Sequence, residues 1–391
     1  MLLACLLTTS VITAEPAVQE RQAMSLWLEQ LTLPTQLGNR RIDTSASCAA
    51  TACHGGPRPG IANLDVVRGS EYPLWLEHDP HAQSWRTMCS VASVTILERL
   101  NVMRDGKVLN QVALENCLAC HNTVQKLSSS FQAEGVGCAS CHGPSELWRG
   151  DHYRIQRDDL TKSQYGMTPN KNLLARARTC AACHIGDSDR DMNHDIIAAG
   201  HPALDYEFAT FHNRLPKHWR EPESQDFTAQ LRLAGQIASL DASLALLEAR
   251  AMKRLATSTW PEFSHADCAV CHQNLRLTNK LNSAVTSAPQ PLLSWNLSGV
   301  EQLLMLIRND NGGQVAGAVL EQKLTELSQS LDSGRIANRQ VAAQNARASR
   351  VALDDWLKYW CCELDTLSAK QLQHSLEALD SPPVFLEPSR L

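Results

Sequence analysis

Five times along the chain a pair of cysteines is followed at once by a histidine, and four of the five share one spacing. The four are CLACH (117–121), CASCH (138–142), CAACH (180–184) and CAVCH (268–272). With 14 cysteines and 14 histidines among 391 residues, chance would supply on the order of 0.02 such pentapeptides. Cysteines three apart, with histidine next, lie along one face of a helical turn. Their sulfurs can form thioethers with the two vinyl groups of a haem, and the histidine then turns a ring nitrogen toward the iron. A zinc knuckle needs four ligands per metal and does not call for a histidine after every second cysteine. A disulfide oxidoreductase needs one active pair, not five. The pattern therefore reads as covalent c-type haem at Cys117, Cys120, Cys138, Cys141, Cys180, Cys183, Cys268 and Cys271, with His121, His142, His184 and His272 as proximal iron ligands.

The fifth pair, in CAATACH (48–54), has four residues between its cysteines. Residues five apart are displaced by about 140° on a helix, so this segment cannot be one regular turn. The backbone has to bulge between Cys48 and Cys53, and the Gly-Gly that follows gives it freedom to do so. The expectation is a stretched haem site with His54 as proximal ligand, five haems in all. If this segment is a disulfide or a pair of thiols instead, the count is four.

Composition sets limits on the rest. A chain of 391 residues makes roughly two or three domains of ~150 residues. It is 43% hydrophobic and 20% charged, with a net charge of −5. Nothing there suggests a nucleic-acid partner, which would favour a basic face. Aromatic residues are only 5%, as expected if porphyrins fill part of the interior that Phe and Tyr usually fill. The N-terminal run MLLACLLTTSVITAEPA is too short to span a bilayer. It reads as an export signal cut near Ala14, or as a lipoprotein signal with Cys5 in a lipobox-like LLAC. The usual positive n-region is missing ahead of it, which leaves room for a start further upstream. No other segment reaches ~18 apolar residues, so no transmembrane span is expected.

The segment GVGCASCHGPSELWRGDHY (135–153), the preceding HDPHAQSW (78–85), and the order of attachment sites around them resemble the tetrahaem cytochrome c-554 family of nitrifying bacteria. The resemblance covers about residues 45–185. It places CAATACH where the family has an ordinary haem site. The fifth site, with AGHP…EF…LPKHW (199–219) and WPEF…DCxxCH (260–272), is more like a longer multihaem relative. The resemblance implies His152 as the distal ligand opposite His54 and His81 as the distal ligand opposite His142. It also implies an open second haem at His121. The alternative at that haem is a sixth ligand from His78, His194 or a methionine.

For the fourth and fifth haems the pool is His194, His201, His212, His218 and His265. His194 and His201, seven apart, would share one face of a helix over two turns and are favoured. His212 and His218 flank a loop-like stretch and could instead be propionate or surface contacts, as could Arg149, Arg154 and Lys217. His374 reads as solvated. Cys89, Cys361 and Cys362 are left over. A disulfide from Cys89 to one of the other two would leave one thiol.

The fold expected is mainly α, with short helices and long loops around stacked haems and a C-terminal helical region. Residues 40–285 form the multihaem domain and 286–391 the helical tail. Residues 60–75 read as loop. Residues 226–256 read as one long helix, and tail helices are expected near 298–309, 313–331, 336–360 and 366–379. The function expected is a periplasmic cytochrome passing electrons between redox partner proteins, with membrane association through a lipid anchor or a complex as an added option. The alternative is an oxidoreductase acting on a small nitrogen or sulfur species at a five-coordinate haem, with His78, Asp79 and Arg104 as acid–base candidates by sequence proximity alone.

Overall fold

The computed structural model describes residues 36–37, 40–41, 43–56, 69–123, 134–150, 152–153, 164–221, 227–254, 259–264, 303–304, 314–332 and 337–360. The export segment, Arg154, His265, the fifth site at 268–272, Cys361, Cys362 and His374 lie outside the described residues. What is described is mainly helical. The strands are two antiparallel two-residue pairs: β1 (Gln36–Leu37) with β2 (Arg40–Arg41), and β3 (Met103–Arg104) with β4 (Lys107–Val108).

The first half is built from short helices: α1 (Glu71–His78), α2 (Ser84–Met88), α3 (Val91–Arg99), α4 (Gln111–His121) and α5 (Cys138–His142). The expected loop at 60–75 gives way to helix at Glu71, because Pro73 falls in the first turn, where its missing N–H has no helical partner to lose. Three of these helices, α2 to α4, close a small core of Trp85, Met88, Cys89, Leu97, Leu114 and Leu118. Cys89 is buried there, and the two cysteines expected as its partners lie outside the described residues.

The second half contains α6 (Leu173–His184), α7 (His194–Ala198), α8 (Phe208–Arg214), α9 (Phe227–Ala251), α10 (Gln314–Asp332) and α11 (Arg339–Trp360). Leucine and alanine recur around most of the circumference of α9, so it is buried on nearly all sides. It packs on α6 and α8 on one side and α11 on the other, and α11 packs on α10. One continuous core results, from Leu174 and Phe208 through Ile237 and Leu244 to Leu327 and Trp356. The helical tail therefore lies against the long helix. Asp241 on α9 ties the seam by ion pairs to Arg178 of α6 (2.9 Å) and Arg350 of α11 (3.1 Å).

Candidate haem sites

Each regular motif among the described residues is the last turn of a helix. CLACH ends α4, CASCH is the whole of α5, and CAACH ends α6. Asparagine caps start the two longer ones. Asn110 accepts from the Ala113 amide and Asn172 from the Ala175 amide, which satisfies donors no helical carbonyl can reach. CAATACH departs from this. A 3-10 turn at Ser45–Cys48 ends, and a separate turn at 51–54 carries Cys53 and His54. The amides of Cys53 and Gly55 both donate to the Ala50 carbonyl, at 2.8 and 3.0 Å. The chain folds back so tightly that a Cβ on Gly55 would lie 1.9 Å from the Ala49 carbonyl oxygen. The two extra residues are absorbed by that bulge.

Four histidine pairs are brought face to face. Ring centroids are 6.0 Å apart for His54 and His152, 6.0 Å for His121 and His201, 6.2 Å for His142 and His218, and 6.1 Å for His184 and His81. Each pair joins a motif histidine to one from elsewhere in the chain. An iron between two imidazoles needs about 2.0 Å to each nitrogen, and each nitrogen sits about 1.1 Å from its ring centre, a span of about 6.2 Å. The four gaps fit that span. Interplanar angles run from 16° to 81°; each ring can turn about the iron–nitrogen axis, so the spacing is the informative quantity.

Two pairings differ from those expected. His81 faces His184, not His142. The 3-10 turn at Pro80–Gln83 is fixed by backbone bonding of Val136 to the His81 carbonyl (3.0 Å) and by the Ser84 hydroxyl, which lies 2.7 Å from that carbonyl and 2.8 Å from the carbonyl of His121. The ring is thereby turned toward the end of α6. His201 faces His121, where an open position was expected. His194 and His201 do not share a helical face, because α7 stops at Ala198. Gly200, at φ +116°, turns the chain, and the His201 amide bonds back to the Ile196 carbonyl. His218 reaches His142 from the loop after α8, whereas His212 is buried within α8 and touches Arg176. Nothing in the spacing of LPKHW identifies His218; only the tertiary fold brings it there.

Electrostatics suit neutral imidazoles, the form that binds a metal. Burial first, then the facing ring, lowers His121. Burial holds His142 and His184 to about 4, helped by His218 and His81 respectively. His54 and His81 are raised instead, each first by a hydrogen bond to a carboxylate, Glu71 at 3.0 Å and Asp79 at 2.9 Å. Those bonds fix the proton on Nδ1 and leave Nε2 as the lone-pair nitrogen.

Cysteines of different motifs also meet. A hydrogen bond between the Cys48 and Cys138 thiols holds Cys138 to about 7 and pushes Cys48 up. A second, between Cys120 and Cys183, does the same for Cys183 and Cys120. Cys141 feels both Cys180 and Cys183, and α5 packs on α6. The four motifs thus form a row in the order first, third, fourth, second, with close contact at both ends. Ser45 and Glu134 lock the first junction: the Cys138 amide donates to the Ser45 hydroxyl (3.0 Å), and the Ser45 amide to Glu134 (2.7 Å).

The acid–base candidates do not converge on His121. His78 is exposed, Asp79 is committed to His81, and Arg104 lies in the β3–β4 hairpin against Asn101. Arg149 pairs with Asp43 (3.0 Å) and Lys217 with Glu221 (2.5 Å). No helix among the described residues is long and apolar enough to cross a membrane.

Residues 47–143, which hold the first three motifs, match the family described as cytochrome c554 and c-prime. Among curated proteins the chain is similar to cytochrome c-554 of Nitrosomonas europaea, 29% identical over 128 residues, 28% of this chain and 53% of that protein. The chain therefore spans about half the length of the curated relative it matches. No solved structure matches.

Proposed function

We propose that this chain, a c-554-like cytochrome over residues 47–143, is an exported electron-transfer protein with five covalently bound c-type haems. The observation that carries the reading is the set of four facing imidazole pairs at 6.0–6.2 Å, each with two motif cysteines just ahead of one member. When bound, each haem supplies a one-electron iron couple. The cysteines Cys48, Cys53, Cys117, Cys120, Cys138, Cys141, Cys180 and Cys183 tether it. The pairs His54/His152, His121/His201, His142/His218 and His184/His81 would supply the imidazole nitrogens that hold the iron.

The fifth site takes Cys268, Cys271 and His272, with His194 as distal ligand. Two contacts support His194 there. Its amide donates to Glu262 (2.7 Å), and the buried Arg250–Asp191 ion pair, also bonded to Ser264, fixes the segment ahead of it. Glu262 and Ser264 lie just before Cys268 in sequence.

With His201 opposite His121, each of the four described sites would offer two imidazoles to the iron it held, which suits a conduit. Redox proteins supply and accept the electrons. Residues 1–14 are the export signal, with a lipid anchor at Cys5 as the alternative; 40–285 carry the haems and 286–391 the helical tail. The compartment is the periplasm.

The test is haem counting with spin state. Intact mass should exceed the mature polypeptide by five haems. The oxidised protein should be wholly low-spin and should bind neither cyanide nor nitric oxide. A colourless, fully exported protein refutes the reading; a high-spin haem that binds cyanide would return the oxidoreductase reading to the second site.

A further inference from the structure

Within each close pair of sites, one ligand histidine is backed by a carboxylate and the partner site has none. In the first–third pair, His54 Nδ1 donates to Glu71 (3.0 Å). In the fourth–second pair, His81 Nδ1 donates to Asp79 (2.9 Å). Both carboxylates are sheltered, at 19% and 11% exposure, so water screens them weakly. The other rings meet neutral groups. His152 and His201 donate to the carbonyls of Arg149 (2.7 Å) and Pro202 (2.8 Å). His142 Nδ1 lies 3.4 Å from the Asn170 side-chain amide. His121 Nδ1 is buried with no hydrogen-bond partner among the described residues.

We propose that Glu71 and Asp79 are potential-setting residues, which make the first and fourth sites the low-potential members of their pairs and the third and second the high-potential members. The inference rests on the haem reading above. An imidazole that donates to a carboxylate is a stronger base at its other nitrogen. A stronger donor, with a fixed negative charge behind it, favours the more positive, oxidised iron and lowers the potential. Neutral carbonyls do this less, and an unpartnered ring least. His218, at the third site, also feels Glu71 and Asp79 through space. The contrast within each pair therefore comes from the direct hydrogen bond. An electron arriving at either pair would rest on the member without the carboxylate, at the third or the second site.

Glu71→Gln and Asp79→Asn test this in the haem-loaded full chain. Both keep an acceptor oxygen for their local duties, the Gly69 amide at 2.9 Å and the His81 amide at 2.9 Å, and remove only the charge. Each should move one component of a spectroelectrochemical titration upward by at least tenfold in its reduction equilibrium, 59 mV for one electron. The two variants should move different components, with altered low-spin electron paramagnetic resonance g-values. The double variant should show both shifts. Curves that superimpose on the parent at equal pyridine haemochrome content overturn the proposal. A protein with no haemochrome at all would instead overturn the haem reading on which this rests.

Discussion

Among the described residues, His212 is the one buried imidazole that does not face another. Its side chain is 1% exposed, with Nε2 2.8 Å from Arg176 and 3.2 Å from Glu221. Phe208, Trp219 and Phe227 surround it, and Arg176 lies over the Trp219 ring at 4.9 Å. Burial pushes its pKa down, Glu221 resists, and Arg176 and Lys217 push the same way as burial, to about 4. The unfolded chain, with histidine near 6.5, therefore binds more protons than the folded one between those values. Stability is fully present above 6.5 and is lost as pH falls toward 4, by up to about 3 kcal/mol for this residue. In urea titrations across that window, His212→Gln should have a shallower acid slope than the parent. Parallel slopes would mean that His212 protonates without cost. At this scale the sequence was a poor guide to which histidines the fold sets opposite the motif histidines. The motif cysteines and histidines could be named from spacing alone, whereas His218 looks no different from His212 until the fold separates them.

At the scale of the element, α9 places a glycine where helix propensity argues against one. Gly235 lies mid-helix, and replacing such a residue by alanine ordinarily gains about 1 kcal/mol. Here an added Cβ would sit 2.6 Å from Cβ of Phe208, an atom next to the backbone that cannot swing aside. Overpacking costs about 1–3 kcal/mol, so the clash outweighs the propensity. Gly235→Ala should lower the denaturation midpoint with an unchanged m-value; a raised midpoint would show that α8 can move away. Long elements were legible because periodicity accumulates. Sequence spans 226–256, 313–331 and 336–360 correspond to Phe227–Ala251, Gln314–Asp332 and Arg339–Trp360. The shared helical face drawn from His194 to His201 failed because one glycine ended α7 after five residues. That same turn carries His201 to within 6.0 Å of His121, at the site where the resemblance implied an open position.

Across the whole molecule, the two halves differ in what holds them together. From Ser45 to His142 the described helices run to at most 11 residues, and isolated helices below about 12–15 residues are marginal. Their own core is the small cluster around Trp85 and Leu114. The facing imidazoles there come from segments far apart in sequence, such as His81 and His184, with no direct bond between the rings. A metal held between the rings would close those gaps. The helices α6, α8, α9, α10 and α11 instead share a continuous leucine and alanine core that ends on Trp356, and they need no cofactor to bury it. Chain made without haem attachment should therefore be only half folded. Limited proteolysis should cut quickly within residues 44–153, while peptides covering 227–251 and 314–360 survive longest, by mass spectrometry. The haem-loaded protein should resist in both regions. Equal protection of 44–153 with and without haem would mean that the polypeptide alone sets the imidazole gaps, and the first half would then be a preformed receptacle for haem, not a structure completed by it.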